Sequence, residues 1–349
     1  MSLTSLTELL STSGTQYRIL DMGRRISKLT KDQFDKFEQG IIPYPTPYLH
    51  QAWLGLFIWN PKQPEQNVVW FLKFPLDEQG FLVQAVRDDF LGRLMQNIQQ
   101  MLDGETLSEE RDALKDNPFS FTPDQEKMAM FHAMASVMTH QKPSSFFTGA
   151  KTYFSGDLGW EHWQGVGYQG IADLIARLDE SNHNAYVLNA VPSLPSEPLI
   201  ALSTCLEHIK LPHALFSQLA TRYETELNQT QANPALLAAL LRGLSQGHDQ
   251  ETLRQLLLKT LQSPAAASAE VMVAIATRCH ETLNYPDVLH QFLEALAVSE
   301  AGQSGFSRIL ADLMFLPTLR VLILQDLRNP NRSDALTQAI GAMFGQSFE

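Results

Sequence analysis

The spacing of apolar residues changes character along the chain. In the first third, short apolar runs alternate with turn residues; from Leu199 onward, apolar segments of helical length follow one another. A Pro or Asn-Pro stands at or near the start of several: Pro198, Pro212, Asn233-Pro234, Ser263-Pro264, Pro286, Pro317 and Asn329-Pro330. Proline suits the first turn of a helix, where its missing N–H would have no partner, and it cannot prolong a helix that came before. The second half therefore reads as a stack of short antiparallel helices, a HEAT- or solenoid-like array. The stretches 234–244 and 286–296 match in their apolar, polar and small positions. That offset of about 52 residues suits a three-helix or irregular repeat.

The first third carries strand signals. Thr4 to Leu10 reads as a short helix and Tyr17 to Met22 as a strand, and Thr30 with Gln33 forms a capping box that opens a helix over 31–39. Pro43, Pro45 and Pro47 hold the stretch around Tyr44 and Tyr48 extended. Ala52 to Trp59 and Val68 to Phe74 form a hairpin around residues 60–64. Both are apolar at odd and even positions alike, which predicts a sheet covered on both faces. Phe81 to Val83 reads as a third short strand of this antiparallel meander. Val86, Phe90, Leu94, Ile98 and Met101 mark an amphipathic helix, and residues 103–117 a charged connector. Thr122-Pro123-Asp124-Gln125 combines cap, first-turn proline and box residue ahead of a helix carrying Met128, Met130, Met134 and Met138. The predicted organisation is an α+β domain over 1–115, a helical junction over 116–198 and an all-α array over 199–349.

Composition narrows the function classes. With 44% hydrophobic and 18% charged residues, the 349-residue chain can bury sizeable cores. Its net charge of −12 and lack of a Lys/Arg stripe argue against a nucleic-acid partner. Cys205 and Cys279 sit in apolar helical segments and make no disulfide framework, which fits a reducing compartment. No secretory signal opens the chain, and no apolar run approaches the ~20 residues of a membrane helix. A cytoplasmic protein with no membrane contact is expected.

The motifs that resemble chemistry lack their context. Gly165-Val166-Gly167-Tyr168-Gln169-Gly170 matches G-x-G-x-x-G, but Trp160 to Gln164 is poor for the buried strand that a dinucleotide site requires. Small residues letting two helices approach closely is the plainer reading. His280-Glu281-Thr282-Leu283-Asn284 offers Asn284 where a zinc site needs a second imidazole, and Cys205 with His208 supplies two ligands where a structural zinc needs four. Gly302-Gln303-Ser304-Gly305 is no nucleophile elbow and reads as a loop between helices. No catalytic residue, cofactor or metal is expected.

Aromatic residues are the remaining signal. Phe154, Trp160, Trp163 and Tyr168, with His162, cluster around Gly156, Gly159, Gly165 and Gly167. Exposed rings anchor interfaces; buried ones cement packing. The candidate partner-binding residues are Tyr44, Tyr48, Trp160, His162 and Trp163. The segments AWLGLFIWNP, VVWFLKFPLDEQG and FSFTPDQEKMAMFHA, in this order, resemble a bacterial family of about this length, known from gammaproteobacteria and defined only as a domain of unknown function. The resemblance implies a cytoplasmic bacterial protein and no activity or cofactor. Two readings follow. One is a non-catalytic adaptor or regulator that holds a protein partner on its helical array. The other is an enzyme with an inter-domain site, for which His50, His132, His162 and Asp157 are first suspects because imidazole titrates near neutrality.

Overall fold

A computed structural model describes residues 5–12, 14–102 and 117–345. The expected connector over 103–116 and the start of the first helix at Thr4 lie outside the described residues, as do the side chains of Ile98 and Met101. Residues 1–128 and 129–349 form two compact units.

The first unit is α+β, as its pattern implied. Strands β1 (Gln16–Asp21), β2 (Ser27–Leu29), β3 (Gln51–Asn60) and β4 (Gln63–Pro75) form one antiparallel sheet in the order β2-β1-β3-β4. Helix α2 (Lys31–Glu38) carries the chain from β2 back to the far side of β1, so β3 pairs with β1. Its capping box forms as expected: the Gln33 amide donates to Thr30 Oγ1, and the Thr30 amide donates to Gln33 Oε1, both at 3.1 Å. Helix α1 (Leu6–Thr12) is capped from a distance, the buried Glu38 carboxylate accepting the N–H groups of Leu6 and Thr7.

Strand β3 is buried on both faces, with Leu54 and Leu56 on one and Phe57 and Trp59 on the other. Strand β4 departs from that expectation. Its Leu72 and Phe74 are buried, Phe71 and Lys73 are half-buried, and Val68 is exposed. Among the described residues, those at 119–121 extend the sheet beyond β4, where the Lys73 amide donates to Phe119 O at 2.7 Å and the Phe121 amide to Phe71 O at 3.1 Å. Helix α3 (Gln84–Leu102) packs Phe90 edge-on to Phe74. The strand expected at Phe81 to Val83 reduces to a single bridge between Leu76 and Leu82, whereas β2 went unnoticed because Ser27-Lys28-Leu29 is short and mostly polar.

Helix α4 (Gln125–Met138) starts later than its cap motif suggested. Asp124 Oδ1 accepts the Lys127 amide at 2.7 Å, so Asp124 caps the helix and Pro123 lies before it.

The second unit is helical throughout its described residues. One row contains α6 (Tyr168–Ala176), α8 (Ser196–Leu206), α10 (Pro234–Leu244), α12 (Ala269–Arg278) and α14 (Gly302–Met314). A second row contains α5 (Phe147–Phe154), α7 (His183–Ala190), α9 (His213–Leu227), α11 (Gln250–Leu261) and α13 (Pro286–Val298), and α15 (Pro317–Asp326) and α16 (Asp334–Gly345) close the array against α13 and α14. Helix α10 is apolar all round and buried along Leu236–Leu241, as a helix enclosed by neighbours must be.

Successive helices of the first row start at Ser196, Pro234, Ala269 and Gly302. The unit is therefore a helix pair of about 35 residues. This corrects the three-helix reading: the matching stretches at Pro234 and Pro286 are α10 and α13, which belong to different rows and share only an N-terminal proline and a similar spacing of apolar residues. Pro234, Pro286 and Pro317 occupy the first turns of their helices, while Pro264 opens a 3-10 turn. Gly302 to Gly305 forms the first turn of α14 and not a loop, with Gly302 entering it at φ +61°.

Candidate functional site

Helix α5, the turn after it and the start of α6 build an aromatic knuckle in the second unit. Gly156 and Gly159 turn the chain at φ +89° and +77°, values that cost an L-residue free energy. A 3-10 segment, Trp160–Gly165, follows. The Trp160 ring stands edge-on to buried Tyr153 at 5.7 Å, and Tyr153 Oη donates to Trp160 O at 2.9 Å. His162 is exposed, its Nδ1 lying 2.8 Å from Leu158 O; Trp163 is half-buried.

Two exposed apolar residues that sequence reasoning did not select flank α5, Phe146 at its N-terminal cap and Leu158 in the turn after it. Phe146 is 57% exposed and Leu158 45% exposed. The Phe146 ring lies over Gly167, where a Cβ would sit 3.3 Å from it, and a Cβ at Gly170 would sit 2.4 Å from Phe146 O. The G-x-G-x-x-G run thus serves close packing: Gly167 caps α6, Gly170 admits the chain at Phe146, and a 3-10 segment precedes it in place of a strand. The chain leading into Phe146 is held by polar contacts from α6. Asp173 Oδ2 accepts the Ser144 amide at 3.1 Å, while Arg177 reaches Asp173 Oδ1 at 3.3 Å, Ser136 Oγ at 2.9 Å and Gln141 O at 3.1 Å. Asp157 and Glu161, both exposed, place negative charge at the rim.

Tyr44 and Tyr48 lie in the first unit. Tyr44 is a core residue, 3% exposed, whose Oη donates to buried Asp21 Oδ1 at 2.7 Å. Tyr48 is half-buried, with Arg24 stacked 5.4 Å from its ring centre. Asp21 ends β1 inside the protein, and burial pushes its pKa up to about 7. Hydrogen bonding from Tyr44, Gly23 and Thr46 and the charge of Lys127 oppose that rise without cancelling it. After Tyr48 the chain turns through Leu49 and His50 at φ +50° and +59°, closed by reciprocal 3.1 Å hydrogen bonds between the backbones of Tyr48 and Gln51.

A second buried carboxylate ties the helical row together. Glu207, at the end of α8, accepts from Arg242 Nε and Nη2 at 2.6 and 3.1 Å and from Arg278 Nε and Nη2 at 2.9 and 3.1 Å. Burial alone would raise its pKa. The Arg278 charge, the Arg242 hydrogen bond and His208 outweigh that and hold it at about 2. One carboxylate thereby links α8 to the ends of α10 and α12.

Among the described residues, no group of three His, Cys, Asp or Glu side chains is placed to hold a metal ion. Cys205 and Cys279 are buried and form no disulfide with each other. Two open grooves of about 350 Å³ mark the helical array, one between α9 and α11 and one beside α15. Neither is lined by His50, His132, His162 or Asp157.

The model of one family, described as a protein of unknown function (DUF3549), matches residues 1–344. The chain belongs to this family. No curated protein and no solved structure matches it. The DUF3549 match spans both units, so the sheet, the knuckle and the helical array all lie within the family's domain. Among its described residues no helix is long and apolar enough to cross a membrane.

Proposed function

We propose that this DUF3549 protein is a non-catalytic adaptor or regulator that docks a protein partner on the aromatic knuckle of its second unit. The carrying observation is the exposure of two large apolar side chains at the two ends of α5, Phe146 before it and Leu158 after it, with the half-buried rings of Trp160 and Trp163 in the segment that follows. Large apolar side chains left exposed are common anchors of an interface. The rim carboxylates Asp157 and Glu161 and the net charge of −12 favour a partner segment with an apolar anchor flanked by basic residues. The reading includes a cytoplasmic location in a gammaproteobacterial cell, supported by two buried cysteines that form no disulfide and by the likeness of the three N-terminal segments to that family's sequences.

Co-purification from native lysate at moderate salt tests the reading. The wild-type chain is expected to retain a partner that Leu158→Asp loses while keeping its helical content. Equal retention by both chains, or no partner for either across growth conditions, would contradict it.

A further inference from the structure

The knuckle leaves unexplained a second feature, in the first unit, where an extended strap over residues 43–48 covers the end of β1. Hydrogen bonds seat it. The Tyr44 amide donates to Gly80 O at 2.8 Å, Tyr44 Oη is shared between Asp21 Oδ1 at 2.7 Å and Trp53 O at 3.1 Å, Arg24 Nε donates to Pro47 O at 3.2 Å, and Trp53 Nε1 donates to Tyr48 O at 2.8 Å. Apart from the Asp21 contact, these join neutral partners or reach outward from an arginine. The Asp21 contact alone involves a group that can gain or lose a proton in physiological conditions.

The surroundings of Asp21 offset its burial only in part: Tyr44, Gly23, Thr46 and Lys127 favour the ionised form, and burial outweighs them. Its Oδ2 and the nearby Thr46 Oγ1 are both buried, and neither completes a well-aligned hydrogen bond. The cation facing the carboxyl is Lys127, whose Nζ is already engaged by Gly23 O at 2.6 Å and Met22 O at 3.0 Å. Arg24 is buried in the same turn and directs its Nε to Pro47 O. A proton on Asp21 removes the charge and leaves Oδ1 free to accept from Tyr44. Ionisation leaves a carboxylate out of water, which is relieved when the covering chain lifts and admits solvent. The strap also ends in strain, since Leu49 and His50 both adopt left-handed backbone that glycine or asparagine would take more readily. Lifting the strap releases that strain, so both terms act in one direction.

We propose that Asp21 and Tyr44 form a proton-controlled latch: neutral Asp21 seats the strap, and ionised Asp21 loosens it together with the Leu49–His50 turn. The raised pKa of Asp21 sets the operating range near neutrality. The pair belongs to the first unit and does not depend on the knuckle's role.

Hydrogen–deuterium exchange of the full chain tests this, followed at residues 43–51 and corrected for the intrinsic pH dependence of exchange. The wild type is expected to lose protection there by about tenfold between pH 6 and pH 8, as the ionised fraction of Asp21 rises. Asp21→Asn keeps an acceptor for Tyr44 and should show no such loss. His50→Asn suits the left-handed turn, leaves Asp21 and Tyr44 in place, and should keep the loss. Carboxyl ¹³C shifts of labelled aspartate add a check that needs no Asp21 variant: the Asp21 signal should titrate near neutrality, and Tyr44→Phe should move its midpoint up. Protection that is independent of pH, a loss that survives in Asp21→Asn or vanishes in His50→Asn, a signal titrating below pH 5, or a midpoint unmoved by Tyr44→Phe would each overturn the latch.

Discussion

Tyr44 Oη sits 2.7 Å from Asp21 Oδ1, joining a proline-rich segment to the end of a strand 23 residues earlier. Both residues are buried. Of the five aromatic and histidine positions that sequence reading nominated for a partner, Tyr44 thus faces the core. Trp160, His162 and Trp163 share one short exposed segment in the second unit.

The Asp21 carboxyl makes stability depend on pH in a definite direction. Its folded pKa of about 7 stands above the ordinary 3.8, so the folded state holds a proton that the unfolded chain releases. The stabilisation is complete below about pH 4 and is lost as pH rises toward 7. Relative to wild type, Asp21→Asn should therefore gain stability steadily over that interval and stay level above it. Urea midpoints at several pH values check this; a constant difference would show that Asp21 is ionised throughout.

Glu207 acts in the opposite sense. Its pKa lies below the ordinary 4.5, so its contribution is present above that value and is lost as pH falls toward 2. Replacing it with Gln leaves Arg242 and Arg278 without their shared carboxylate, and breaking a buried pair of this kind costs about 3–5 kcal/mol. Denaturant midpoints at pH 7 should show that loss, and the gap to wild type should narrow between about pH 4.5 and 2.

Gly170→Ala should destabilise the second unit by about 1–3 kcal/mol, because the added methyl has Phe146 O at 2.4 Å and Ala150 Cβ at 3.0 Å. Backbone cannot yield there as a flexible side chain would. Gly149→Ala, on α5 with open space around its Cβ position, is the matched control and should be neutral or mildly stabilising. Thermal unfolding of the two variants separates crowding from helix propensity.

What the sequence made legible was local. The Thr30–Gln33 box and the prolines opening α10, α13 and α15 act within one turn of the residues that reveal them. The strands β3 and β4 declared themselves by unbroken apolar runs. Signals that leaned on similarity alone misled: α10 and α13 look alike because both open with proline and repeat apolar residues at similar spacing, although they sit in different rows. The long-range pairs carried no signal at all. Glu207 meets Arg278 across 71 positions, and nothing near either residue announces the other. The knuckle was half visible. Its rings and glycines stood out, but the exposure of Phe146 and Leu158 depends on where α5 and α6 pack, which spacing does not reveal.

The proposed docking surface is tested most directly by placing a photo-crosslinking residue at Phe146 in living cells, with the same residue at exposed Val321 on α15 as control. A docking role requires one discrete adduct from Phe146, absent from Val321 and abolished by Leu158→Asp. Adducts that are equal at both positions, or that persist with Leu158→Asp, would show that the knuckle is ordinary surface.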